Sequence, residues 1–134
     1  MKHLHVACAI IEHDGLVLAA QRSASMSLPL KWEFPGGKIK LGENPEECLR
    51  RELVEELNVR VSVKNVLSSA THDYPALKVT LYPFVCSIEA GQLHANEHAA
   101  LVWLSPDELS SLDWAEADLP LIVDYCRQRN SVQP

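Results

Sequence analysis

Asn44-Pro45-Glu46-Glu47-Cys48-Leu49-Arg50-Arg51-Glu52-Leu53-Val54-Glu55-Glu56-Leu57-Asn58 decides how the rest of the chain is read. Asn44 is a strong N-cap. Pro45 fits the first helical turn, where its missing N–H has no partner to lose, and Glu47, three residues after the cap, completes a capping-box pattern. Leu49, Leu53 and Leu57 recur every four residues as one apolar stripe, and Asn58 suits a left-handed stop. The spacing predicts a helix over 45–57 with its leucines turned to a core. At about 100° per residue, Glu52, Glu55 and Glu56 fall within an arc of roughly 100° that adjoins the leucines, at the rim of the buried face. Glu52 and Glu56 are a like-charge i,i+4 pair costing about 0.2–0.5 kcal/mol in water, and more where the dielectric drops. A hard divalent cation such as Mg²⁺ or Mn²⁺ reverses that cost, because it takes oxygen donors on one rigid face. Acidic helix residues are otherwise a solvated surface, with Arg51 able to pair with Glu55. Taken alone, the helix leaves both readings open.

Outward from the helix, Trp32-Glu33-Phe34-Pro35-Gly36-Gly37-Lys38 reads as a short strand ending in a glycine turn, and Gly42-Glu43 closes a loop into the cap. Gly37-x4-Gly42 has phosphate-loop spacing, but Glu43-Asn44 stands where Lys and Ser or Thr would grip phosphate. Such a site binds metal first and phosphate through the metal. Upstream, 4–11 and 16–22 are apolar-rich runs separated by Glu12-His13-Asp14-Gly15, a hairpin signal, and 23–31 is a polar loop. Downstream, 59–70 and 77–88 read as strands joined near His72-Asp73-Tyr74-Pro75, with Pro83 marking an edge or a bulge. A short strand over 99–104 precedes Ser105-Pro106-Asp107-Glu108, a cap, N1 proline and acidic first turn. A last helix over 120–129 carries Leu121, Ile122 and Tyr125 on one side. Strands, helix, strands and helices in that order give one α+β domain over 1–134, with helix layers able to cover a sheet.

At 134 residues, 47% hydrophobic and 22% charged, the composition is that of a globular domain. No apolar window is long enough to span a membrane, and the N-terminal stretch lacks the apolar core and cleavage site of a signal peptide. Cys8, Cys48, Cys86 and Cys126 are widely spaced among apolar neighbours, as expected of free buried thiols in a reducing, cytoplasmic compartment. Twelve basic against 18 acidic residues, net −6, opposes binding to duplex nucleic acid. A phosphorylated ligand would need a divalent cation to neutralise it.

Read as one string, Gly37-x5-Glu43-x7-Arg51-Glu52-Leu53-x-Glu55-Glu56-x-Asn58-Val59 resembles the Nudix box, departing from it only where Asn58 replaces a glycine. Asparagine is the next best residue for a left-handed stop. Ala20-Gln21-Arg22 and Trp32 to Lys38 resemble the MutT branch of that family. His94-Ala95-Asn96-Glu97-His98, running into Ala99-Ala100-Leu101-Val102-Trp103, and Ala117-Asp118-Leu119-Pro120 are similar to bacterial CTP pyrophosphohydrolases. The similarity spans about Leu4 to Cys126 and implies the Nudix fold, a mixed β-sheet sandwiched between α-helices.

Position by position, the resemblance implies that Glu52, Glu55, Glu56 and Glu97, with the Gly37 carbonyl, hold Mg²⁺, for which Mn²⁺ substitutes. Glu52, then Glu97, is the implied proton acceptor, with Glu43 assisting and Arg51 orienting the carboxylates. The implied substrate set is Arg22 on a terminal phosphate, Phe34 stacked on the base, Pro35, Gly36 and Lys38 beside it, His72 lining the base pocket, and Asp118 reading the base. An ionised Asp118 would accept from an exocyclic amine; capping the last helix is its structural alternative. The implied reaction is hydrolysis of a nucleoside triphosphate to monophosphate and pyrophosphate, with CTP, dCTP and modified pyrimidine nucleotides preferred. Preference for 8-oxo-dGTP is the alternative, with hydrolysis of ADP-ribose or a dinucleotide and a non-catalytic nucleotide-sensing module behind it. The expected partner is the nucleotide, and the chain is expected as a monomer or homodimer.

Overall fold

The computed structural model describes residues 2–132, with side chains to residue 130. Its centre is two long strands, β1 (Lys2–His13) and β7 (Leu77–Gly91), paired in parallel from Lys2↔Leu77 to Glu12↔Ser87. β1 returns antiparallel through β2 (Leu16–Gln21) by a two-residue turn, where Asp14 and Gly15 take φ of 50° and 79° as the hairpin signal requires.

The predicted 32–38 strand is two pieces. β3 (Trp32–Glu33) pairs with β2, and β4 (Gly36–Lys38) pairs with β1, so the chain crosses between neighbours at Phe34-Pro35. Gly36 and Gly37 are therefore extended and do not form a turn. Gly36 is needed for close approach, since a Cβ there would collide with the Ala7 carbonyl and Cys8 Cα of β1.

The predicted 59–70 strand is likewise split into β5 (Val59–Val66) and β6 (Ala70–Tyr74), both antiparallel to β7. Of the two readings of Pro83, an edge or a bulge, the edge is corrected, since β7 is a central strand; the register with β5 does shift nearby, between Val63 and Asn65 opposite Cys86 and Val85. The Pro83 carbonyl accepts from Leu67 N–H at 3.1 Å. A strand residue's N and O point to the same side, so the nitrogen without a hydrogen faces the gap where β5 gives way to β6. The missing donor thus falls where the ladder is already interrupted.

The faces follow the two-residue period of β1. Ala7, Ala9 and Ile11 meet Leu49, Leu53 and Leu57 of α1 (Pro45–Leu57), joined by Phe84 and Cys86 of β7. Cys8 and Ile10 face the other way, against Leu109 and Trp114 and against Leu121, Ile122 and Tyr125 of α2 (Leu119–Val132). β8 (Ala100–Leu104) pairs with β2, and Ser105 opens a 3-10 helix, Pro106–Ser111, before the chain reaches α2. The result is a mixed sheet between helical layers, as expected. All four cysteines are free, and three of them are fully buried.

Candidate active site

The acidic face is fixed at both ends of α1. At the N-terminus Asn44 Oδ1 accepts from Glu47 N–H at 2.8 Å, and Glu47 Oε1 accepts from Asn44 N–H at 3.1 Å, closing the capping box. At the C-terminus Asn58 is left-handed, with φ 61° and ψ 33°. The last turn has no basic residue, and its carbonyls are met by backbone and amide donors. Asn58 N–H donates to Val54 O (3.1 Å), Asn96 Nδ2 to Glu55 O (2.8 Å), Asn96 N–H to Glu56 O (3.0 Å) and His94 N–H to Leu57 O (3.0 Å). The loop after β7 is thereby docked on the helix end.

Arg51 organises the carboxylates nearest the loop. Its Nε and Nη2 donate to the two oxygens of Glu43 at 2.8 and 3.0 Å, and Nη1 donates to Glu52 at 2.8 Å and Glu55 at 3.4 Å. That fork, with Lys40 N–H, holds the Glu43 carboxyl down at about 2. Glu52 lies against β4 so closely that a Cβ on Gly37 would fall within its carboxyl group. Gly37 is therefore glycine to admit Glu52. The Gly37 carbonyl lies 3.4 Å from the Cys48 thiol, whose pKa burial raises to about 11.

Glu56 is the anomaly. It is 7% exposed, and its Oε1 has no hydrogen-bond partner. Burial first, then the charges of Glu52, Glu97, Glu33 and Glu55, push its carboxyl up to about 9. A buried carboxyl with an orphan oxygen amid four acidic neighbours is costly for a scaffold and suited to a cation. Every donor in this set is a hard oxygen, which fits Mg²⁺ or Mn²⁺ and excludes a soft-metal cage. Among the described residues, no three His, Cys, Asp or Glu side chains converge into a ready-made cage. Mg²⁺ needs none, since it keeps several waters and takes one or two carboxylates together with substrate phosphates.

The substrate set is more scattered. Lys38 is exposed on β4 beside Gly37, whereas Pro35 is buried at the crossover. Arg22 is committed within the protein: Nη1 donates to Glu33 at 2.6 Å, and Nε and Nη2 donate to Ser27 at 2.6 and 3.0 Å. Phe34 does not offer a ring to a base; it is 3% exposed and packs on Trp114 with ring centroids 4.8 Å apart. Its backbone N–H donates to Asp118 Oδ2 at 2.9 Å. Asp118 is thus tied to the crossover, and burial raises its carboxyl to about 8 despite that bond. Burial thus favours the neutral acid over the ionised, accept-only Asp118 that the resemblance implies, and a neutral acid can donate as well. His72 packs edge-on to Tyr74 and lies 3.1 Å from Glu116.

Two residues, Glu33 and His98, are given no role by the sequence. Glu33 takes Arg22 on one oxygen and His98 Nε2, at 2.9 Å, on the other, and it stands close enough to both Glu56 and Asp118 to raise each. His98 is fully buried at its side chain. These partners are 65 residues apart in the chain, and no local pattern announces them.

Comparison with known proteins identifies the family. The chain is 39% identical over 129 residues to a CTP pyrophosphohydrolase of Escherichia coli, covering 96% of each. It is 30% identical over 128 residues to an 8-oxo-dGTP diphosphatase of the same organism, covering 95% of this chain and 99% of the relative. The solution structure of the E. coli ORF135 protein superposes with a TM-score of 0.85 at 36% identity, over 98% of this chain and 94% of that one. The family model described as the NUDIX domain matches residues 1–125, a span that takes in the sheet, the acidic helix and Asp118, and the chain belongs to that family.

Proposed function

We propose that the protein is a divalent-cation-dependent nucleoside triphosphate pyrophosphohydrolase. It takes up water, breaks a phosphoanhydride bond and releases nucleoside monophosphate and pyrophosphate, with CTP, dCTP and modified pyrimidine nucleotides as preferred substrates. The observation that carries the reading is Glu56, a buried, unpartnered carboxyl on the rim of an acidic helix. Relatives named CTP pyrophosphohydrolase and 8-oxo-dGTP diphosphatase supply the substrate class.

A triphosphate carries about four negative charges, and five carboxylates (Glu43, Glu52, Glu55, Glu56 and Glu97) already surround the site. Bound Mg²⁺ or Mn²⁺ would offset that charge, polarise phosphoryl oxygens and acidify the attacking water. Glu52, Glu55, Glu56, Glu97 and the Gly37 carbonyl are the groups proposed to hold it. Arg51 keeps Glu52 turned toward β4, and Glu43 holds Arg51 in place. Glu52, fixed between Arg51 and the Gly37 backbone, takes the proton from water attacking the β-phosphorus, with Glu97 as the second choice. Lys38 contacts phosphate from the exposed strand edge. Arg22 serves by bracing Glu33 and the 23–31 loop, and the Phe34 backbone by holding Asp118.

Asp118 reads the base with its second oxygen. As a neutral acid it can pair with an acceptor as well as an amine, which also favours a purine such as 8-oxo-guanine as a second reading. Turnover of CTP, 5-methyl-dCTP, 8-oxo-dGTP, dGTP and UTP at equal concentration separates the two readings. Highest kcat/KM for the cytidine pair supports the first, and highest for 8-oxo-dGTP supports the second. Binding without turnover of any of the five would mark a sensing module.

A further inference from the structure

Glu97 lies 41 residues after Glu56 in sequence and sits on an exposed loop, yet its charge bears on Glu56. The two residues flanking Glu97 explain how it is held there. Asn96, on one side, bonds the end of α1 twice, through its backbone N–H to Glu56 O at 3.0 Å and through Nδ2 to Glu55 O at 2.8 Å. Its Oδ1 lies 2.7 Å from His94 Nδ1. With Nδ2 donating to the helix, Oδ1 must accept, so His94 carries its proton on Nδ1 and locks the amide against flipping. His98, on the other side, is buried against Glu33, and Ala99 N–H donates to Gln21 O at 2.9 Å.

We infer that Asn96 is a positioning residue: by bonding the carbonyls of the two glutamates at the end of α1, it sets where Glu97 meets Glu56. The inference rests on the proposed role of Glu97 in holding the cation and says what puts that carboxylate in place. An unanchored loop would let Glu97 leave the acidic face for solvent, where repulsion from Glu52 and Glu55 drives it. The amide suits the task because a carboxylate there would face the negative end of the helix dipole, whereas a neutral donor satisfies a carbonyl without adding charge beside the site. Backbone and side chain of a single residue serve adjacent carbonyls, so the loop is fixed in rotation as well as distance.

The test is Mn²⁺ binding to the full-length free protein, followed by electron paramagnetic resonance, in wild type, Asn96→Ala, Glu97→Gln and the double variant. Asn96→Ala is expected to weaken Mn²⁺ about 10-fold, the scale of losing a group that orients a ligand. In the Glu97→Gln background the same change is expected to do nothing further, which a merely structural role would not reproduce. Thermal unfolding reports whether each variant folds. Should Asn96→Ala fail to fold, Asn96→Ser, neutral and too short to reach Glu55 O, takes its place. Equal weakening in both backgrounds, or no weakening by Asn96→Ala while Glu97→Gln weakens binding, would overturn the inference. No effect of Glu97→Gln itself would instead remove the reading of Glu97 as a cation-holding group, and the inference with it.

Discussion

Individual residues carry the specificity and the anomalies. Asp118 is the clearest case, because its burial changes which hydrogen bonds it can make. Replacement by Ala is expected to cost about 1–3 kcal/mol in kcat/KM for cytidine or guanine nucleotides relative to UTP. Asp118→Asn, which donates and accepts as the neutral acid does, should retain most of the wild-type preference. Above about pH 8 the wild-type carboxyl ionises and loses its donor, so its base preference should shift there while that of the Asn variant stays flat. A preference that follows Asn and Ala equally would contradict the neutral-acid reading. The proposed place of Asp118 beside the base comes from the resemblance of Ala117-Asp118-Leu119-Pro120, whereas its protonation is not legible there, since that depends on burial and on Glu33 nearby. Phe34 misleads for the same reason: an aromatic residue beside a site faces either ligand or core, and here its partner is Trp114, 80 residues on.

Elements show which local signals suffice. α1 was legible to the residue because its information lies within its own span: cap, N1 proline, capping box, leucine stripe and left-handed asparagine. Asn44→Ala opens the box and is expected to destabilise the fold by about 1 kcal/mol, read from denaturant unfolding at constant m. The hairpin at Asp14-Gly15 was legible for the same reason. The breaks in 32–38 and 59–70 were not, because each marks a change of strand partner. Trp32–Glu33 goes to β2 and Gly36–Lys38 to β1, while β5 and β6 divide β7 between them around Pro83. A strand's period reports its faces but not its neighbour. The docking of 94–96 on the helix end belongs to the same class, since the helix shows only that its last turn has no basic residue.

The whole molecule responds to pH through these groups. Glu56 and Asp118 have folded-state values near 9 and 8, raised from the ordinary 4.5 and 3.8. Each binds its proton more tightly in the folded chain, so its contribution is fully present below the unfolded value and is lost as pH rises through the folded one. Glu43, held near 2, works in the opposite window and loses its contribution as pH falls from about 4.5. Metal-free protein should therefore melt progressively lower between pH 5 and pH 9. Mg²⁺ should raise the melting temperature more at pH 9 than at pH 6, because it favours the ionised carboxylates. A flat profile, or equal stabilisation at both values, would count against a cation at Glu56.

The central claim is that the acidic rim of α1 holds a cation to hydrolyse a nucleotide. Its most direct test is steady-state CTP hydrolysis at saturating Mg²⁺ by wild type and Glu56→Gln, with CTP binding measured in parallel. Gln has the shape of the neutral acid and should fold, so a loss of about 10²–10³-fold in kcat with nucleotide binding kept is the predicted result. Unchanged release of pyrophosphate by the variant would contradict the account.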